Sequence, residues 1–245
     1  MPPAERKLSI ANVIAEAFWL PWSRRGAFLK GLFLPAIAIV AVQVGFSQAG
    51  AQSAGSAAWM LTVVNILLWI LFAVACHRLV LLGLDIGDVP LVPGWGWRET
   101  RFLGCILLIT AVTWGAAMAA VLTVGVVLAN VSMTMFQAGQ PYMMGLIGVF
   151  FFARMGPVLP AAAIGAPIDF RDMWHRTRGN TWRLMVIVGV FPWIFAYASS
   201  FVEGSDPGFF RELAAIVLGT LFLIVEISAL SISYRRLNES NAGLR

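Results

Sequence analysis

Glu226 and Arg154 are the residues of this sequence whose type and position most strongly suggest chemistry. Each is a charged side chain within a long apolar stretch, and Glu226 lies eight residues before Tyr234, near the end of its stretch. At a helical rise of about 1.5 Å per residue, the Glu226 carboxyl group lies about 12 Å inside the apolar boundary. A charged side chain in a membrane costs about 2.5 kcal/mol or more and normally faces a partner or a cavity.

Arg154 is the natural partner of Glu226, and Arg78 is the second choice. We therefore predict a candidate intramembrane ion pair among Arg154, Glu226 and Arg78. A proton or ion relay and a contact with a substrate or lipid headgroup remain as alternatives. The depth of Arg154 is also open, because Pro157 and Pro160 follow it and would kink or break a helix. Arg154 is then either in the middle of the membrane or at its interface.

A second group of residues combines arginine with tryptophan in the basic segment 166–183. Such side chains suit contacts with anionic lipid headgroups, and they suit equally a role limited to fixing membrane topology. The candidate headgroup contacts are Arg171, Trp174, Arg176, Arg178, Trp182 and Arg183.

The elements that position these residues follow from the composition. The 245-residue chain is 60% hydrophobic and 12% charged, whereas charged residues make up about a quarter of a typical soluble domain. A helix of about 20 apolar residues spans a bilayer. We predict an all-α polytopic membrane protein with a single transmembrane domain over residues 1–245. Its six spans are predicted at about 27–46, 57–80, 102–129, 142–165, 184–202 and 212–234.

The positions of the basic residues predict the orientation of these spans. Of the 17 Lys and Arg residues, fifteen fall on one side of the predicted membrane, Arg211 falls on the other, and Arg154 is inside a span. The opposite connections, near 47–56, 131–141 and 203–211, are short. Because basic residues collect on the cytoplasmic side, we expect both termini in the cytoplasm. We also expect no removable signal peptide, since Asn12 and Glu16 interrupt the first apolar stretch.

Residues 8–25 differ from the spans, and they begin a pattern that recurs. Their apolar stripe, followed by Trp19 and Trp22, predicts a helix in the cytoplasmic interface. The pattern W-[RH]-x-T-R occurs at 97–101 and again at 174–178, 77 residues later. A related basic segment at 23–25 suggests three repeats of an interfacial segment and a helical hairpin. Any hairpin protein that follows the positive-inside rule could show similar spacing by itself.

The chain lacks the usual patterns of catalysis and cofactor binding. It has two His, two Cys and two Lys residues, and no GxxxxGK[ST], HExxH, GxSxG or CxxC pattern. We therefore expect a protein that is not an enzyme and that binds no cofactor or metal. The net charge of +5 reflects basic residues that flank apolar segments, so we expect no nucleic-acid partner.

Three segments carry a family resemblance: RMGPVLPAAAIG at 154–165, MWHRTRGNTWRL at 173–184 and ALSISYRRL at 229–237. On these the chain resembles uncharacterised bacterial inner-membrane proteins similar to the YciC-like family. It also resembles the membrane domain of some glycerophosphoryl diester phosphodiesterases. The resemblance implies a six-helix membrane domain in a bacterial inner membrane. It does not carry over the phosphodiesterase activity, which needs a further barrel domain of about 250 residues.

These patterns together favour a non-catalytic multi-pass protein of the bacterial inner membrane. We expect an accessory, scaffold or lipid-interacting subunit of a membrane assembly, with membrane lipids and a protein of a larger complex as partners. The alternative is a small transporter or channel-like protein that uses Arg154 and Glu226 within the bundle.

Overall fold

The computed structural model describes residues 7–49, 56–129, 132–203 and 208–242, and these form helices and connecting segments. Five of the helices are long and apolar enough to cross a membrane: Arg25–Phe46, Trp59–Leu82, Trp97–Gly125, Arg178–Tyr197 and Phe209–Glu239. A sixth crossing results if the bent pair Met133–Met155 and Val158–Ile164 is counted as one span. The predicted all-α polytopic fold is confirmed.

The α-helices are numbered in chain order, and two short segments of other helix types interrupt the series. The α-helices are α1 Ile10–Ser23, α2 Arg25–Ala49, α3 Ser56–Leu82, α4 Trp97–Ala129, α5 Met133–Met155, α6 Val158–Ile164, α7 Phe170–Arg176, α8 Thr181–Met185, α9 Phe191–Glu203 and α10 Phe209–Ala242. A 3₁₀ turn, Arg178–Asn180, precedes α8, and a π-helical segment, Val186–Val190, joins α8 to α9.

The described helices form three hairpins. α2 packs against α3, α4 packs against α5, and the α8–α9 segment packs against α10. A short helix precedes the first hairpin (α1) and the third (α7), as the predicted repeat requires. Before α4, however, the chain is an irregular connection from residue 83 to residue 96. Residues 50–55, 130–131 and 204–207, which belong to the predicted short connections, lie outside the described residues.

The fifth helix begins about nine residues before the predicted start of its span. Ser132 caps α5 by accepting a hydrogen bond from the Met135 N–H at 3.3 Å, and a serine at this position stabilises a helix start. Pro141 lies inside α5. The first turns of α5 contain the polar residues Gln137 and Gln140, and α5 packs against α4.

A proline precedes the short helix α6, and a glycine ends it. Pro157 stands at its start, where the missing N–H costs little, and the axis bends by 46° from α5 to α6. Gly165 ends it in the left-handed region at φ +77°, which favours glycine. The N–H groups of Gly165 and Ala166 donate hydrogen bonds to the carbonyl oxygens of Ala162 and Ala161, respectively. This is a Schellman arrangement. α6 is almost wholly buried against α3 and α4.

The π-helical segment packs against α5, as α8 does. Pro192 has no N–H to continue the regular ladder, and the Phe191 N–H bonds to Val186, five residues back. A Cβ at Gly189 would be 2.3 Å from Cγ1 of Val149 on α5. The absence of a side chain at Gly189 is therefore what allows this approach.

One end of the bundle gathers most of the basic side chains, and we call it the basic end. His77, near the end of α3, contacts Ser231 of α10 and Phe102 of α4. The carboxyl-terminal ends of α3 and α10 therefore lie at the same end of the bundle as the start of α4. This sorting agrees with the sequence count, which assigned the arginines to a single side.

Candidate functional site

Arg154 lies in the last turn of α5, where it is 4% exposed. Its Nη1 donates to the Thr181 hydroxyl at 2.9 Å, and its guanidinium carbon lies 4.3 Å from the ring centroid of Trp174. Its carbonyl oxygen accepts from the Thr177 hydroxyl at 3.3 Å. These contacts tie the end of α5 to the region between α7 and α8, so Arg154 lies at the basic end.

The structure does not bring Arg154 to Glu226. Among the ion pairs of the described residues, none joins these two side chains. α5 ends one residue after Arg154, and it is α6 beyond the bend that packs against α3 and α10. Arg154 therefore lies just before the 46° bend between α5 and α6.

Arg78 is not paired with Glu226 either, among the ion pairs that the described residues form. It lines a cavity of about 60 Å³ together with Pro90 and Glu99. Glu99 is 7% exposed, and its carboxylate accepts from the Gly96 N–H at 2.8 Å. Arg78 and Glu99 thus belong to the packing of the connection between α3 and α4.

Glu226 lines a different cavity, of about 360 Å³, between α3, α4, the π-helical segment and α10. Its walls are mainly apolar and include the aromatic rings of Trp69, Phe102 and Phe152. Glu226 is half-buried, and Ile66 in the cavity wall is 48% exposed. The cavity therefore reaches the outer surface of the bundle. We refer to it as the Glu226 cavity.

His77 is the second ionisable residue of the Glu226 cavity, and its hydrogen bond indicates its tautomer. The Ser231 hydroxyl donates to the Ile227 carbonyl at 2.8 Å, so it accepts from His77 Nδ1, which is 2.7 Å away. This assigns the proton to Nδ1 and leaves Nε2 as an acceptor. The sequence gives no signal of this contact, because Ser231 lies 154 positions from His77.

The six candidate headgroup residues separate into two groups. Arg176 is held by Asp172 at 2.5 Å and by Asn238 at 2.8 Å. Arg183 donates to the Leu8 carbonyl at 2.6 Å. A third residue of this group, Trp174, stacks on Arg154. The other three, Arg171, Arg178 and Trp182, are exposed. Half of the predicted set is therefore available to a lipid headgroup, and half holds the protein together.

A carboxylate that sequence reasoning assigned no role joins α1 to α10. Glu16 accepts from Arg235 through one oxygen and from Arg236 through the other, the latter at 2.6 Å. Val13 and Ala17 on the same helix are fully buried, and α1 packs against α10. A helix is present where the interfacial helix was predicted, and Val13 and Ala17 of its apolar stripe pack on protein, whereas Phe18 is 51% exposed. The opposite charges of Glu16 and Arg235 were the available signal, at a separation of 219 positions.

A long apolar groove lies between α1, α2 and α10. It encloses about 810 Å³ and is lined by side chains such as Leu29, Phe33, Val40, Leu213 and Leu221. Trp22 and Arg25 lie at its basic end, with the Arg25 guanidinium carbon 5.9 Å from the Trp22 ring centroid. We refer to it as the α2–α10 groove.

The described residues offer little for metal binding or nucleophilic catalysis. No group of three or more His, Cys, Asp or Glu residues within them is arranged to hold a metal ion. Cys76 and Cys105 are both free thiols and buried. Ser231 and His77 are hydrogen-bonded, but Ser231 is 0% exposed and its hydroxyl donates to the backbone.

No family model matches this chain, and no curated protein or solved structure matches it. The membrane architecture follows from the helices themselves, because the described part of the chain is all-α and has five or six long apolar helices able to cross a membrane. The family resemblance read from the sequence stays a prediction.

Proposed function

We propose that this protein is a non-catalytic, lipid-interacting membrane protein that binds an anionic phospholipid in the α2–α10 groove. The observation that carries this proposal is the combination of a long apolar groove with Trp22 and Arg25 at one end of it. We propose that it works as an accessory or scaffold subunit of a bacterial inner-membrane assembly, with both termini cytoplasmic.

The length of the groove suits an acyl chain. Its lining residues on α2 run from Arg25 to Val44, which at about 1.5 Å per residue is about 28 Å. That is close to the full hydrocarbon thickness of about 30 Å. One leaflet contributes about half of this, so an acyl chain entering at Arg25 has apolar side chains along its whole length.

The charge at the basic end of the groove suits an anionic headgroup. Arg25 is exposed, and it is in none of the ion pairs that the described residues form. Trp22, 64% exposed, has the amphipathic ring that favours headgroup depth. A basic residue near a membrane surface contributes about 1 kcal/mol to the binding of anionic lipid. Arg171, Arg178 and Trp182 extend the same kind of surface at the basic end.

The binding test compares retention of phosphatidylglycerol with that of phosphatidylcholine on the purified protein, by native mass spectrometry in a mild detergent. We expect Arg25→Gln to lower phosphatidylglycerol retention about fivefold and Ala36→Trp, which fills the groove, to lower retention of both lipids. Two variants are controls. Arg98→Gln removes another exposed arginine from the basic end, and Ala119→Trp places the same bulk on α4. Both should retain the two lipids as the wild type does. Equal retention in Arg25→Gln and Arg98→Gln would exclude the groove as the lipid site.

The proposed orientation has a separate test. A carboxyl-terminal tag should be inaccessible to a membrane-impermeant reagent in intact cells and become reactive after the inner membrane is permeabilised. Labelling of that tag in intact cells would place the basic end outside the cytoplasm. It would contradict the orientation without affecting lipid binding.

The Glu226 cavity is the observation that favours the second candidate function, a small transporter. Arg154 does not contribute to that cavity, because its guanidinium group is bound to Thr181 and Trp174. A transport role would therefore depend on Glu226 without Arg154.

A further inference from the structure

The Glu226 cavity contains a carboxyl group without a matching positive charge. Glu226 is in none of the ion pairs of the described chain. The arginines that the sequence suggested as partners are placed elsewhere: Arg154 is bound to Thr181, and Arg78 lines the small cavity with Glu99. A carboxylate within an apolar wall needs a cation or a proton to balance it.

His77 does not provide that positive charge. Its Nδ1–H is donated to Ser231, whose hydroxyl is itself donated to Ile227. The remaining nitrogen, Nε2, is an acceptor in this neutral tautomer. His77 is 1% exposed within a wall of aromatic and aliphatic side chains, and it is in none of the ion pairs of the described residues. The Glu226 carboxylate therefore favours a ligand that brings positive charge.

The rest of the wall suits the apolar part of such a ligand. Trp69, Phe102 and Phe152 contribute aromatic rings, whose faces attract organic cations more than they attract strongly hydrated inorganic ions. The volume of about 360 Å³ falls within the range of about 300–1,000 Å³ that small-molecule sites occupy. Because the wall reaches the outer surface near Ile66, a ligand dissolved in the bilayer has a path to it.

We propose that the Glu226 cavity is a binding site for a lipophilic organic cation, with the Glu226 carboxylate as counter-ion and the aromatic side chains around its apolar groups. The proposal is independent of the α2–α10 groove, since the two sites share no lining residue.

The test uses two probes of matched size and opposite charge, tetraphenylphosphonium and tetraphenylborate, with the full-length protein in an uncharged detergent. Radiolabelled tetraphenylphosphonium should bind saturably and tetraphenylborate should not. Glu226→Gln should weaken tetraphenylphosphonium binding about tenfold or more, whereas Glu226→Asp should retain part of the affinity. Glu239→Gln is the matched control, because it removes a carboxylate from the same helix at an exposed position.

A second variant separates loss of the site from loss of the fold. Ala73→Phe keeps the carboxylate and fills the cavity, so it too should weaken binding. Each variant is checked by gel filtration and by phosphatidylglycerol retention in the α2–α10 groove, which should be unchanged. Equal binding of the two probes, or equal phosphonium binding in Glu226→Gln and Glu239→Gln, would overturn the proposal. Arg25→Gln should leave phosphonium binding unchanged. A negative result for the Glu226 cavity would therefore not contradict lipid binding in the α2–α10 groove.

Discussion

Replacing Glu16 by glutamine should loosen α1 from the bundle while leaving the spans in place. Glu16 is the carboxylate that joins α1 to Arg235 and Arg236 of α10. Glutamine keeps the shape of the side chain but removes its charge. Its oxygen can still accept from an arginine, but its NH₂ group cannot, and the attraction between opposite charges is lost. The buried face of α1, with Val13 and Ala17 fully covered, keeps its apolar contacts.

The expected cost follows from the exposure of the three side chains. Hydrogen bonds to charged groups contribute about 1.5–3 kcal/mol each when they are shielded from water. Here Glu16 is 30% exposed, Arg235 is 37% exposed and Arg236 is 28% exposed. Water screens such pairs and lowers their contribution. We therefore expect Glu16→Gln to lower the free energy of unfolding by about 1–2 kcal/mol in total.

Two measurements test this expectation. Unfolding in mixed detergent micelles gives the change in free energy, and hydrogen–deuterium exchange should show faster exchange confined to Ile10–Ser23. Glu239→Gln is the control, because Glu239 lies 3.9 Å from Arg235 and is 66% exposed, where a pair contributes little. If Glu16→Gln and Glu239→Gln had equal effects, or if exchange in α1 did not change, Glu16 would not be what holds α1 in place.

Three further changes test the region around α5 and α6. Thr181→Val removes the hydroxyl that binds the buried Arg154 guanidinium, and should lower the free energy of unfolding by about 1–3 kcal/mol. Gly189→Ala places a Cβ against Val149 and should cost about 1–3 kcal/mol, with partial recovery when Val149→Ala is added. Gly165→Ala, at φ +77°, should cost about 1–2 kcal/mol.

The controls for these changes use the same substitutions at unstrained positions, and the measurement is again unfolding in mixed micelles. Gly115→Ala, in the middle of α4, places its Cβ in open space beside its own helix, so it should raise the free energy of unfolding by about 0.5–1 kcal/mol. Thr123→Val removes an exposed hydroxyl that bonds only within its own helix. If either control matched its test variant, the assigned contact would not be the cause of the loss.

The all-α polytopic class and the approximate spans were predictable from composition. A bilayer requires each crossing segment to satisfy its own backbone groups and to be apolar over about 20 residues, and both conditions can be read from a single stretch of chain. The helix α5 begins about nine residues before the span predicted at 142–165, and its first turns, which contain Gln137 and Gln140, belong to a helix that packs against α4.

The partners of the charged residues depended on the tertiary structure. Arg154 and Glu226 are complementary in charge, but the end of α5 and the bend into α6 assign Arg154 to Thr181 and leave Glu226 in an aromatic cavity. Glu16 and Arg235 meet across 219 positions of sequence. Local hydropathy sets which segments become helices. The rotation and crossing of those helices set which side chains meet. Rotation and crossing depend on all the contacts of the bundle together, so they cannot be read from one stretch of sequence.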